Sequence, residues 1–193
     1  MTELARVLFG REDIRRRVEE LGRTITGDYV GREPVLISVL KGGTVFLADL
    51  IRHIPLPLET HMMAINPYGG GEESMGRVRI LLDVEVDLTD RDVLLVEDIV
   101  DTGLTLSYLL SILRARRPAS LELCTLLDRS VRRIVPLHPR YVGFDCPDSF
   151  VVGYGLDFGE RYRNLADILE ISDTNALKAD PDALLSHLVP AAG

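Results

Sequence analysis

Lysine is nearly missing from this chain. Of 22 basic residues only Lys41 and Lys178 are lysine, which leaves 22 − 2 = 20 arginines. Such a bias reads as a genome-wide preference, so an arginine where a relative holds lysine can be a benign exchange. Cysteine is scarce too. Cys124 and Cys146 sit in apolar segments, and neither a disulfide framework nor a thiolate metal site is expected. No apolar run approaches the ~18 residues that cross a bilayer. The opening MTELARVLFGREDIRRR has no secretory apolar core. A cytoplasmic protein is the expectation. An excess of positive charge is lacking as well: the net charge is −8 and the pI is near 5.0. That argues against non-specific binding to nucleic acid or to an anionic membrane. It leaves room for a small polyanion, because a local site can oppose the global field. No G-x-G-x-x-G follows an early strand, which disfavours a dinucleotide-binding dehydrogenase.

What is present is ordinary in amount and ordered in pattern. The chain has 193 residues, 46% hydrophobic and 27% charged, enough for one domain with a good core. Residues 11–25 place Ile14, Val18, Leu21 and Ile25 at helical spacing. PVLISVL, 34–40, is a continuous apolar run suited to a buried parallel strand. After KGG, residues 44–54 read as a helix. Strands are predicted over 58–65, 77–84, 91–99 and 120–128, with a helix over 104–115 and short strands within 141–157. The stretch 66–76, NPYGGGEESMG, has no core pattern, and a long polar glycine loop in a compact domain reads as a functional lid or as disorder. Beyond residue 172 one short amphipathic piece is visible, PDALLSHLV. No repeat or linker interrupts the pattern. Strand–helix alternation implies an α/β fold with an open, mostly parallel sheet flanked by helices. Ligands of such sheets bind beyond the carboxyl ends of the strands. SVLKGG and LVEDIVDTG are both such ends, so they are expected to share one crevice.

The most informative stretch is VLLVEDIVDTGLTLSYLL, residues 93–110. A buried-strand pattern, Val93 to Val96, runs into Glu97, Asp98 and Asp101. Crowded carboxylates raise one another's pKa, so a positive or hydroxyl-rich partner is expected. Asp101-Thr102-Gly103-Leu104-Thr105 then leads into a helix. Small and hydroxyl-bearing residues there leave backbone N–H groups free to grip a phosphate, and glycine lets the backbone come close. The two acids before it suit sugar hydroxyls or a hydrated cation. A sugar phosphate with a diol and a metal has all these parts. A helix start decorated with acids for its dipole accounts for Asp101. It does not account for Glu97 and Asp98, which end a buried run.

VLLVEDIVDTGLTL resembles the phosphoribosyl pyrophosphate motif of the type I phosphoribosyltransferases. More narrowly, residues 34–168 resemble the hypoxanthine-guanine phosphoribosyltransferases, through SVLKGG, CTLLD, YVGF and DSFVVGYGLDFGERYRNL. The resemblance implies transfer of a phosphoribosyl group to a 6-oxopurine, with Mg2+ as cofactor. It implies a small hood subdomain, made of the N-terminal segment and about 141–172, over a core of about 30–140. The tail 173–193 is left without a role. A homodimer or homotetramer is implied, with no nucleic-acid or membrane partner.

By the same resemblance, Glu97 and Asp98 face the ribose hydroxyls, directly or through metal. Asp101 approaches N7 of the purine as proton acceptor. Thr102, Gly103, Leu104 and Thr105 cradle the 5-phosphate. Leu40, Lys41 and Gly42 form a pyrophosphate loop, with a cis peptide implied there, although Gly42-Gly43 alone reads equally as a plain strand-to-helix turn. Asp157 borders the purine site and ligates a second magnesium. Arg163 reaches pyrophosphate with its fork of donors; taken singly it is a solvated surface arginine. Phe150 stacks on the purine and the backbone of Val151 bonds its edge; without the resemblance Phe150 is simply core. Two positions depart from the family pattern. Arg129 stands where a lysine donates to the purine, and it is longer and planar. Pro67-Tyr68 replaces a Ser-Tyr pair in the mobile loop that continues with Gly69, which removes a hydroxyl and an N–H. A xanthine-preferring enzyme and a non-catalytic nucleotide sensor of the same fold are the alternatives. Retention of Asp101, Asp157 and Arg163 speaks against the sensor.

Overall fold

The computed structural model describes residues 4–67 and 78–188. Alternation within the apolar strands explains the architecture. In β2 (Val35–Val39) and β5 (Asp92–Val100), Val35, Ile37, Val93 and Leu95 join one apolar cluster, and Leu36, Leu94 and Val96 join another. Successive side chains point to opposite faces, so a strand apolar at every position needs cover on both. On one face lie α1 (Arg11–Asp28) and α2 (Gly43–Ile51), through Ile14, Val18, Leu21, Ile25, Phe46, Leu47 and Leu50. On the other lies α3 (Leu104–Ala115), through Leu106, Leu109, Leu110 and Leu113.

Among the described residues the main sheet has six strands in the order β4-β3-β2-β5-β6-β7. The others are β3 (Glu59–Pro67), β4 (Val78–Leu82), β6 (Ser120–Asp128) and β7 (Tyr141–Asp145). Pairing is parallel from β3 through β7, and β4 adds an antiparallel edge. A second, three-stranded antiparallel sheet joins β1 (Ala5–Phe9), β9 (Ile168–Ile171) and β8 (Phe150–Val152). β7 belongs to the main sheet. No described helix is long and apolar enough to cross a membrane.

The predicted elements are present with shifted ends. α2 stops at Ile51 instead of 54. The N–H groups of Arg52 and His53 donate to the carbonyls of Asp49 and Leu50 at 3.2 and 2.9 Å, and Pro55 turns its predecessor away from helix. Three elements were not predicted: β1, β9 and the short α4 (Thr174–Ala179). α4 is capped by Asp173, whose side chain accepts from the N–H groups of Asn175 and Ala176 at 2.8 and 3.0 Å. The 173–188 segment packs on the smaller sheet: Leu177 and Leu184 are buried with Val152, Tyr162, Leu165 and Leu169.

Candidate active site

Parallel register brings the carboxyl ends of β2, β5 and β6 to one edge. Ser38 lies beside Val96, and Val100 lies beside Asp128. The loop after β2 therefore stands next to the acidic end of β5. A Cβ placed on Gly42 would lie 1.7 Å from Asp98 Oδ2, so the two segments touch through bare backbone. The Leu40–Lys41 peptide is cis. Gly42 begins α2 without a side-chain cap, and Gly103, in a left-handed conformation at φ 81°, begins α3 without one. At each start a first-turn N–H makes only a long bond, Leu104 to Thr102 Oγ1 at 3.4 Å and Thr44 to the Lys41 carbonyl at 3.3 Å, which an anion can replace.

The acids are as poorly compensated as their spacing suggested. Glu97 is buried, and its Oε1 has no hydrogen-bond partner. Burial holds its pKa well above the usual range, and the Asp98 charge adds to this, while the Val39 N–H works against it. Burial pushes Asp98 up to about 6, although its Oδ1 accepts the Ile99 N–H and Arg163 lies near. Asp101 is compensated on one oxygen only: its Oδ2 accepts from Arg129 Nη1 at 3.2 Å, with Arg132 Nη1 3.9 Å away, while its Oδ1 is buried without a hydrogen-bond partner.

Two cavities open along this edge. One of about 190 Å³ is bordered by Glu97, Asp101, Thr102, Gly103 and Thr105. The other, about 260 Å³, is bordered by Asp98, Asp101, Arg129, Phe150, Val151, Leu156 and Asp157. Phe150 is 37% exposed and meets Phe158 edge-on at 5.7 Å, so the reading of Phe150 as a core aromatic is overturned. A larger cavity, about 670 Å³, lies behind Arg163 against α1 and α2, and none of the acidic strand end borders it.

The structure also pairs cations that the sequence left unpartnered. Lys41 Nζ donates to Glu160 Oε2 at 2.7 Å. Arg163 donates to the Gly155 carbonyl at 2.8 Å, meets Asp157 Oδ1 at 2.8 Å and Glu160 Oε1 at 3.4 Å. Glu160 was missed. Its one sequence signal is the charge-rich GERYR run, which looks like a solvated turn.

A model of the phosphoribosyl transferase domain matches residues 10–159, most of the chain. The chain belongs to the phosphoribosyltransferase family. A hypoxanthine-guanine phosphoribosyltransferase from Bacillus subtilis is 45% identical over 163 residues, 84% of this chain and 91% of that protein. One from Mycobacterium avium is 49% identical over 172 residues, 86% of this chain and 85% of that protein. Among solved structures, a Bacillus anthracis hypoxanthine-guanine phosphoribosyltransferase with HEPES in its active site superposes with a TM-score of 0.83. It is 44% identical and covers 86% of this chain and 98% of that one. The mostly parallel sheet with flanking helices is the type I phosphoribosyltransferase fold.

For a phosphoribosyltransferase the donor set has a clear character. Glu97, Asp98 and Asp157 offer hard oxygens, and the orphaned Glu97 Oε1 and the raised Asp98 are what a missing cation or diol would leave behind. Among the described residues no cluster of three or more His, Cys, Asp or Glu forms a metal cage. Of the loop residues, Pro67 ends β3, whereas Tyr68 and Gly69 lie outside the described residues.

Proposed function

We propose that this chain transfers the 5-phosphoribosyl group of phosphoribosyl pyrophosphate to hypoxanthine or guanine, giving IMP or GMP and pyrophosphate. The observation that carries the reading is the edge where buried Glu97, one oxygen of which lacks a partner, and half-buried Asp98 stand between two glycine-begun helices and beside the cavity walled by Asp101, Arg129 and Phe150. The names of the relatives support the choice of 6-oxopurines.

Each residue then has a task. The N–H groups and hydroxyls of Thr102, Gly103, Leu104 and Thr105 hold the 5-phosphate. Glu97 and Asp98 accept from the ribose hydroxyls, and the N–H groups of the Leu40–Gly42 loop hold pyrophosphate, with Lys41 and Arg163 supplying charge. Phe150 stacks on the purine, Val151 bonds its edge, and Arg129 donates to the 6-oxo group. Asp101 receives the proton from N7 as a base nitrogen attacks C1 and pyrophosphate leaves an oxocarbenium-like sugar. Glu97 and Asp98 would hold one magnesium ion and Asp157 a second, each together with substrate oxygens, and the metal would supply positive charge against the departing group. A cytoplasmic homodimer or homotetramer, with a small hood over the main sheet, completes the reading.

The test is a base panel. Pyrophosphate release and nucleotide formation are measured with hypoxanthine, guanine, xanthine and adenine. Hypoxanthine and guanine should be used. Adenine should be inert, because its 6-amino donor faces Arg129 with no acceptor, and a buried unpaired donor costs ~1–3 kcal/mol, more when charged. Turnover of xanthine above both would identify a xanthine-preferring enzyme, and no turnover of any base would identify a sensor.

A further inference from the structure

We propose that Arg129 is a positioning residue for Asp101: it ties the carboxylate of the phosphate turn to the base loop at Ser149, so that filling the purine cavity and placing Asp101 become one event. The proposal rests on the reading of Asp101 as the proton acceptor. A residue that only reads the base would aim free donors into the purine cavity. Arg129 instead spends a donor from each terminal nitrogen on the protein. Nη1 donates to Asp101 Oδ2 at 3.2 Å and Nη2 donates to the Ser149 carbonyl at 2.6 Å. Its own N–H donates to the Val100 carbonyl at 2.9 Å, so backbone and side chain both cross from β6 to the Asp101 segment. The side chain is only 6% exposed, against 37% for Asp101, so the longer partner is the fixed one.

The surroundings make the bridge rigid. Arg133 Nε donates to the Asp101 carbonyl at 2.9 Å and its Nη2 is paired with Asp128, while the N–H of Ile134 donates to the Thr102 carbonyl at 2.9 Å. Residues 129–134 thus grip the phosphate turn from behind. On the far side, Ser149 precedes Phe150, which borders the purine cavity with Asp101 and Arg129. A purine entering between Phe150 and Asp101 meets both ends of the bridge. A lysine has no planar fork and cannot hold a carboxylate and a carbonyl with two fixed donors. The planar fork of Arg129 therefore adds a link, beyond supplying a charge.

A double-mutant cycle tests this, with kcat and the purine KM measured separately for the full-length enzyme, Arg129→Gln, Asp101→Asn and the pair. Arg129→Gln should lower kcat by ~10- to 100-fold in the native background and by under about threefold beside Asp101→Asn, because a residue acting through Asp101 has nothing left to position. Arg129→Lys should recover part of kcat, since one donor can still reach Asp101. Equal losses of kcat in both backgrounds would overturn the proposal, as would a slow Asp101→Asn enzyme beside an Arg129→Gln enzyme that changes only the purine KM. Normal turnover by Asp101→Asn would instead overturn the reading of Asp101 itself, and the proposal with it. Should Arg129→Gln fail to fold, Arg129→Lys in the two backgrounds carries the same comparison.

Discussion

Gly42 and Asp98 are in contact across two loops: a Cβ on Gly42 would lie 1.7 Å from Asp98 Oδ2. The glycine is needed here for space and not for an unusual backbone, because its φ of −58° suits any residue. The pyrophosphate loop and the acidic strand end are therefore one unit. Anything that moves one moves the other.

Gly42→Ala should consequently act as a change at Asp98. The methyl forces the carboxylate aside, and displacement of a reacting group by about 1 Å costs ~10²-fold. The expected outcome is a loss of about that size in kcat/KM for phosphoribosyl pyrophosphate, with the purine KM little changed. Steady-state kinetics with each substrate varied in turn checks it. Unchanged kinetics would separate the two loops.

The strand end, β5 into α3, was legible in the sequence because its signals are local. An apolar run, three acids and a Thr-Gly-Leu-Thr turn follow one another within 93–105. β1 and β9 were not. ARVLF exposes Arg6 and Val7, and its partner strand, four residues long, lies more than 160 positions away, so neither shows a pattern until both are folded. α4 buries only Leu177, too little for a period to show. The site divides in the same way. Its motif residues could be named in advance. The carboxylate that holds Lys41 could not, because Glu160 is 119 residues along the chain. From its apolar neighbours alone Phe150 reads as core, and only the fold turns it outward; its place at the purine site came from the resemblance.

Asp101→Asn should lower kcat by ~10²–10⁴-fold while leaving the KM for phosphoribosyl pyrophosphate within a few fold, since the amide keeps shape and loses the proton acceptor. Stopped or steady-state turnover with hypoxanthine measures this. A variant with near-native kcat would take Asp101 out of the chemistry.

Glu160 occupies Lys41 and Arg163 with its two oxygens, where pyrophosphate is proposed to bind. Glu160→Gln should therefore lower the KM for phosphoribosyl pyrophosphate. Both Lys41 and Glu160 are about two-thirds exposed, where water screens an ion pair, so the change should not exceed about fivefold. A raised KM would mean that Glu160 assists binding.

Asp98 titrates near 6 in the ligand-free protein, above the ~3.9 of an unfolded chain. A carboxyl raised on folding favours the folded state below its unfolded pKa, and that contribution is lost as pH rises through the folded value. Glu97 is raised in the same direction. Measured against Asp98→Asn, which keeps every other carboxylate, the melting temperature of the ligand-free protein should fall as pH rises from about 4 through 6. The added stabilisation by magnesium and phosphoribosyl pyrophosphate should grow over the same window, because the ligands bind the ionised carboxylates. Thermal melts across pH, with and without both ligands, read the two trends; parallel curves would contradict them.

The central claim is that the buried acids of β5 exist for a metal-bound ribose and not for the fold. The double variant Glu97→Gln, Asp98→Asn tests it most directly, with melting temperature and magnesium-dependent pyrophosphate release measured on the same samples, each also in excess chelator. Removing uncompensated buried charge should hold or raise the melting temperature at neutral pH. It should also abolish turnover, and the native enzyme should lose turnover in chelator and regain it with magnesium. A double variant that melts early yet still turns over, or a native enzyme fully active in chelator, would contradict the account.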